Sequence, residues 1–161
     1  DYALAEAVNG AVFCDNYGEF TDTRNKLSRY PEDIRLKKLA GHLLLMGQSG
    51  QYNYNRLILR NDTAAAQLAV TEFVKSAMNV VFLLNKRYMP YYKWSFRALR
   101  ELTVFGDKAE VFEYLLTSPA TEEKGEMIEK ICADIARELR RGFSRLEMLS
   151  QKNAETDGAA T

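Results

Sequence analysis

The segment Asn85–Arg100, NKRYMPYYKWSFRALR, holds the densest chemistry in the chain. It carries Lys86, Arg87, Lys93, Arg97 and Arg100 and no acid, interleaved with Tyr88, Tyr91, Tyr92, Trp94 and Phe96. Cations of this kind pair phosphates, and flat rings between them can stack on a base or a guanidinium. Lys93, Arg97 and Arg100 stand at i, i+4 and i+7, so a helix puts them on one face. The opposing reading packs the rings inward, with the basic stems lying over them. Residue types alone leave both open. A second cluster, Gln51-Tyr52-Asn53-Tyr54-Asn55-Arg56, has no core pattern in its first half. It could hydrogen-bond a ligand or simply link two helices.

The single histidine, His42, follows Arg35 by two helical turns, so the two share a face. This spacing is similar to the loose Arg/His pattern of helical HEPN-type ribonucleases. There the histidine would serve as acid or base and the arginine would stabilise phosphate charge. The plainer reading leaves His42 as a lone polar residue on the outer face of its helix. Other chemistries lack their residues. No Cys or His lies at zinc spacing. Gly47-Gln-Ser-Gly50 has neither a preceding strand nor a following Lys-Ser/Thr, so it is no phosphate cradle. No Asp-x-Asp pair is present to hold two Mg²⁺ ions for phosphoryl or nucleotidyl transfer. The acids Glu122, Glu123, Glu126 and Glu129 read as a solvated face.

These groups need a scaffold, and the length of 161 residues suggests one domain. Formal net charge is zero, which gives no bulk bias toward nucleic acid or an anionic membrane. Cys14 and Cys132 lack redox spacing and read as free, buried thiols of a reducing, cytoplasmic compartment. The longest apolar run, Val80–Leu84, is too short to span a bilayer, so no membrane partner is expected.

Hydrophobic periodicity predicts an all-α single-domain bundle of about five to seven helices, with a central buried helix near 62–86. Asp62 is placed to cap that helix, and Val70, Phe73, Ala77, Val80 and Leu84 follow its inner face. Upstream, Tyr2–Val8 and Glu19–Arg29 read as short helices, the second with Phe20, Thr23 and Leu27 inward. Pro31 opens a helix whose stripe is Leu36, Leu39, Leu43 and Met46. Gly41, Gly47 and Gly50 weaken it, which calls for close approach by a neighbouring helix or ligand. Gln51–Arg60 continues it or starts anew. Met89-Pro90 breaks the chain before a helix over Tyr91–Leu102. A further helix covers Lys108–Leu116. The last is built on Ile128, Ile131, Ile135 and Leu139 and ends at Arg140-Arg141-Gly142. The domain should cover 1–149, with a disordered tail over 150–161. The start at Asp1, directly on a helical pattern, suggests the C-terminal part of a larger protein.

Four runs in order, FCDNYGEFT, YPEDIRLKKLA, GQYNYNR and FLLNKRYMPYYKWSFRALREL, resemble the helical domain called domain of unknown function 4037. The resemblance covers about Ala11–Leu102. It implies an N-terminal nucleotidyltransferase-like domain of the polymerase-β type as partner, carrying the Gly-Ser and Asp-x-Asp motifs that this chain lacks. It implies Mg and a nucleoside triphosphate for the full-length protein, and no catalytic residue here. Gln51, Tyr52, Asn53, Arg56, Tyr88, Tyr92, Lys93 and Trp94 would then line the nucleotide or acceptor side, with Lys86, Arg87 and Arg97 beside them. A nucleic-acid-binding module using Arg35 and His42, or a purely structural dimerising bundle, are the alternatives.

Overall fold

In a computed structural model the chain is all-α, and its backbone is described over residues 1–158. The side chains of 143 and 145–161 lie outside the described set. The helices are α1 (Tyr2–Val8), α2 (Glu19–Leu27), α3 (Glu32–Met46), α4 (Asn55–Leu59), α5 (Thr63–Leu84), α6 (Tyr92–Arg100), α7 (Ala109–Thr117) and α8 (Glu122–Gly158). A π-helical segment, Gly47–Tyr54, joins α3 to α4 without a break, and a 3-10 turn, Gly106–Lys108, leads into α7. With α3, the π segment and α4 counted as one rod, seven helical bodies make the bundle among the described residues.

The central helix is the one expected. The Asp62 carboxylate accepts from the Ala65 amide at 3.1 Å and so caps α5. Val70, Phe73, Ala77 and Val80 are buried, with Val74, Val81, Phe82 and Leu83 completing an apolar surround. By length and composition α5 could cross a bilayer, at a mean hydropathy of 1.3, but more than half of that stretch is buried inside the bundle. That is the condition of a core helix covered by its neighbours.

The α3 rod lies antiparallel to α5. Arg35, near the start of α3, donates to the Leu83 carbonyl at the end of α5 at 3.1 Å. At the other end, Leu45 and Ser49 face Ala69 and Glu72. Leu39 and Met46 are buried as the stripe requires, but Leu36 is exposed, and Arg35 takes the inward position instead. The guanidinium is admitted because Glu32 pairs with it through two bonds, 2.5 and 2.9 Å long. The helix ends on either side of α5 use the same device. Asn61 (φ 57°) and Lys86 (φ 53°) adopt left-handed angles. The next residue's amide then reaches back: Asp62 to Leu57 O at 3.0 Å, and Arg87 to Phe82 O at 2.9 Å. This closes the α4 and α5 C-termini as Schellman motifs, with asparagine and lysine where glycine is commonest.

Three expectations are corrected. Helix α2 buries none of its residues: Phe20 and Leu27 are exposed, as is Phe13 in the preceding loop. The segment packs on α1 rather than the core, tied by Arg24 donating to the carbonyls of Val8 (2.7 Å) and Gly10 (2.5 Å). Cys14 is exposed rather than buried, whereas Cys132 is half-buried, its thiol pushed up to about 11 by desolvation and then by Glu129. Helix α8 does not stop at Gly142. It continues across that residue, which has open space around it, as far as Gly158. Residues 159–161 lie outside the described ones.

Candidate functional site

The π segment explains one of the three glycines. A Cβ on Gly50 would stand 2.5 Å from the Phe73 ring and 2.7 Å from Ile128 Cγ2. The backbone therefore touches both α5 and α8 where a side chain could not fit. Gly41 and Gly47 have no such neighbour. Gly125 on α8 is the reciprocal contact, with Asn55 filling the space a Cβ would need. Rod, α5 and α8 thus meet at two glycines, and the i→i+5 bonding of the π segment turns Gly50 and Tyr54 toward the junction.

This junction separates the members of the Gln51–Arg56 cluster. Tyr54 is fully buried. Its hydroxyl donates to Thr121 O at 2.7 Å and accepts from Thr121 N at 3.0 Å, locking the loop before α8. Replacing it with phenylalanine leaves both Thr121 groups unpartnered. We expect Tyr54→Phe to cost roughly 1–3 kcal/mol in chemical denaturation. Gln51 donates to the Glu129 carboxylate at 2.6 Å. Arg56 lies over the Tyr52 ring at 4.0 Å on the surface. Only Asn53 faces a cavity. This open groove of about 360 Å³ has Leu45, Gln48, Ser49 and Asn53 on the rod, and Ala65, Ala69 and Glu72 on α5. Sequence reasoning found Asn53 alone of these. The small residues on the α5 wall were the available signal.

The basic–aromatic segment lies elsewhere. It follows the last turn of α5, about 15 Å along the helix from the level of Phe73. The Gln51–Arg56 cluster and Tyr88–Arg97 therefore do not line a common cleft. Tyr88, expected among the ligand-side residues, is a core residue. It is buried, its ring centroid 4.5 Å from that of Tyr30, and its hydroxyl donates to Leu27 O at 2.9 Å. The rings of α6 itself divide by face. Ser95 and Leu99 are buried, whereas Tyr92, Lys93, Trp94 and Arg97 are exposed, Tyr92 at 67% and Trp94 at 58%. Tyr91 packs against Tyr92 at 4.4 Å between ring centroids, and against Tyr2 at 5.9 Å. Arg100 is paired with Glu113 at 2.6 Å and lies near the Phe96 ring, so it does not extend the free basic face. Lys86 stands 4.0 Å from Glu32, and Arg87 is exposed. Among the described residues, no acid lies within ion-pair distance of Arg87, Lys93 or Arg97.

Arg35 and His42 are not brought together. Two turns of α3 separate them by about 10 Å along the axis, and Arg35 is committed to Glu32 and the Leu83 carbonyl. His42 is not on the outer face: it is half-buried toward α5, with Nδ1 enclosed and unpartnered. Desolvation chiefly, then Lys38 and Lys75, lowers its pKa, with Glu72 opposing. The ring is therefore neutral at neutral pH. Among the described residues, no three His, Cys, Asp or Glu side chains converge as a metal site.

Neither the curated proteins nor the solved structures compared with the chain include a match. The family model described as "Domain of unknown function (DUF4037)" matches residues 1–95. The match takes in α1 through the first turn of α6, including the rod, α5 and most of the basic–aromatic segment. With more than half of its length matched, the chain belongs to the domain of unknown function 4037 family.

Proposed function

We propose that this chain is the substrate-side helical domain of a nucleotidyltransferase-like protein, working beside an N-terminal domain that supplies the metal-binding carboxylates. The observation that carries this reading is the outer face of α6. Lys93, Trp94 and Arg97 are exposed on the side opposite the buried Ser95 and Leu99, and Tyr92 is exposed in the first turn. A phosphate chain would lie across the cations while a base stacks on a ring. Arg87 stands just upstream to extend the positive surface. Mg and the nucleoside triphosphate would be held jointly with the partner domain, in the cytoplasm.

The groove beside the π segment and the α6 face have opposite character, which argues against one continuous active site within this chain. Catalysis by the chain alone is therefore not expected. With Mg²⁺ and each of the four ribonucleoside triphosphates, the purified chain should release no pyrophosphate above the enzyme-free rate. Release that scaled with chain concentration and vanished in a Lys93→Ala/Arg97→Ala variant would overturn the division of labour.

A further inference from the structure

One helical turn beyond the groove between the rod and α5 lies a pair of polar atoms that the fold itself does not use. Arg35 on α3 meets the Leu83 carbonyl on α5. Two turns further along α3 is His42, and two turns back along α5 is Ser76, so the antiparallel helices bring the two to the same level. His42 Nδ1 and Ser76 Oγ are both enclosed and both lack a hydrogen-bond partner. Ser76 is 1% exposed. Two orphaned polar atoms at one level of a packed interface are unusual, because each carries an uncompensated desolvation cost. Neighbouring turns lead from them into the groove: Leu45 follows His42 on α3, and Glu72 precedes Ser76 on α5.

The lining has a definite charge preference. Glu72 is its one ionised group, and no lysine or arginine lines it. Lys75 approaches Glu72 only to 3.9 Å and is largely exposed, and Lys38 is paired with the Asp1 carboxylate. Ser49 already donates to Leu45 O at 2.6 Å, so toward the groove it can offer only an acceptor lone pair. Gln48 and Asn53 make no side-chain hydrogen bond among the described residues and can offer amide oxygens. Leu45, Leu57, Ala65 and Ala69 supply an apolar wall. The volume suits a ligand of nucleoside or smaller size. The π segment that forms one side is a helix distortion frequently found at functional sites.

We propose that this groove binds a small organic amine, its ammonium accepted by Glu72 at the end nearest His42 and Ser76 and its apolar body on the alanine wall. The site is separate from the α6 face and does not depend on the reading given to that face. Anionic ligands are disfavoured, the reverse of the preference at α6.

His42 is the only histidine, so its imidazole gives a single, unambiguous resonance set. The test is an NMR titration of the full chain with matched fragment pairs, each an aryl or alkyl amine and the carboxylate of the same skeleton, such as phenethylamine and 3-phenylpropionate. Amines should shift the His42 resonances saturably, and carboxylates should not. Glu72→Gln should weaken amine binding about tenfold, the effect of losing one charge-assisted contact. Glu72 is half-exposed, so this variant should keep the parent melting temperature, which separates loss of binding from loss of fold. Carboxylates shifting His42 as strongly as amines would overturn the proposal. So would a panel in which no amine moves His42, or undiminished amine binding by a folded Glu72→Gln.

Discussion

Gly50→Ala should destabilise the protein by about 3 kcal/mol, the upper range for overpacking a fixed core. The new methyl would meet the Phe73 ring at 2.5 Å and Ile128 Cγ2 at 2.7 Å. Both neighbours are almost fully buried and have little room to retreat. The sign is informative because helix propensity alone predicts the opposite, a gain of about 1 kcal/mol. Gly41→Ala tests that half of the argument. Gly41 lies in the same rod with open space around it, so alanine there should stabilise by up to about 1 kcal/mol. For a chain of this size the Gly50 effect corresponds to roughly 6–12 °C in melting temperature. A Gly50→Ala protein as stable as the parent would show that rod, α5 and α8 do not meet as described.

Lys124→Met should cost about 3 kcal/mol through the carbonyls it would leave unpartnered. Lys124 is fully buried at the start of α8 with no carboxylate beside it. Its ammonium donates to Leu115 O at 2.7 Å and Ser118 O at 2.6 Å, with Gln67 Oε1 at 3.4 Å. It thus neutralises the C-terminal end of α7, where unpaired carbonyls concentrate negative potential. Methionine keeps the stem but removes all three donors. Burial also sets the pH dependence. Desolvation holds the Lys124 pKa below the ordinary lysine value. Between the folded and unfolded pKa the unfolded chain then binds more protons, so this group makes stability rise with pH through that alkaline window. Tyr54 acts in the opposite sense nearby, its pKa raised by burial. The useful readout is the difference between parent and Lys124→Met across that range: the parent's advantage should grow as pH rises. An advantage that shrinks would contradict the buried, carbonyl-held ammonium.

The fold was legible where burial follows period. The α5 pattern, the Asp62 cap, the break at Pro90 and the isoleucine stripe of α8 all reduce to apolar spacing and local capping, and each stands where expected. What failed depended on contacts between elements. Arg35 sits inward and Leu36 outward because Glu32 and the Leu83 carbonyl together satisfy the guanidinium. No helical wheel contains that information. Phe20 and Leu27 have core side chains but remain exposed, at 59% and 38%. The C-terminal stop at Arg140-Arg141-Gly142 was built from propensities of about 1 kcal/mol, and α8 runs through it.

The candidate site was half legible. The composition of Asn85–Arg100 marked a segment whose α6 part, Tyr92–Trp94 and Arg97, is exposed. It could not separate Tyr88, which stacks on Tyr30, from Tyr92 and Trp94, which face solvent. The Gln51–Arg56 run looked like one cluster. The π segment sends its members in different directions: Gln51 to α8, Tyr54 to the core and Asn53 to the groove. Register changes of that kind leave no compositional trace beyond the glycines that permit them.

Trp94 is the only tryptophan in the chain and stands on the face assigned to ligand. Its fluorescence during titration with Mg²⁺ and ATP therefore reports on ligand at that face. A saturable change is expected that weakens at least tenfold in Lys93→Ala/Arg97→Ala and falls with added salt, while Gln51→Ala, at the distant junction, leaves it unaltered. No saturable change, or equal affinity in the folded double variant, would contradict that assignment.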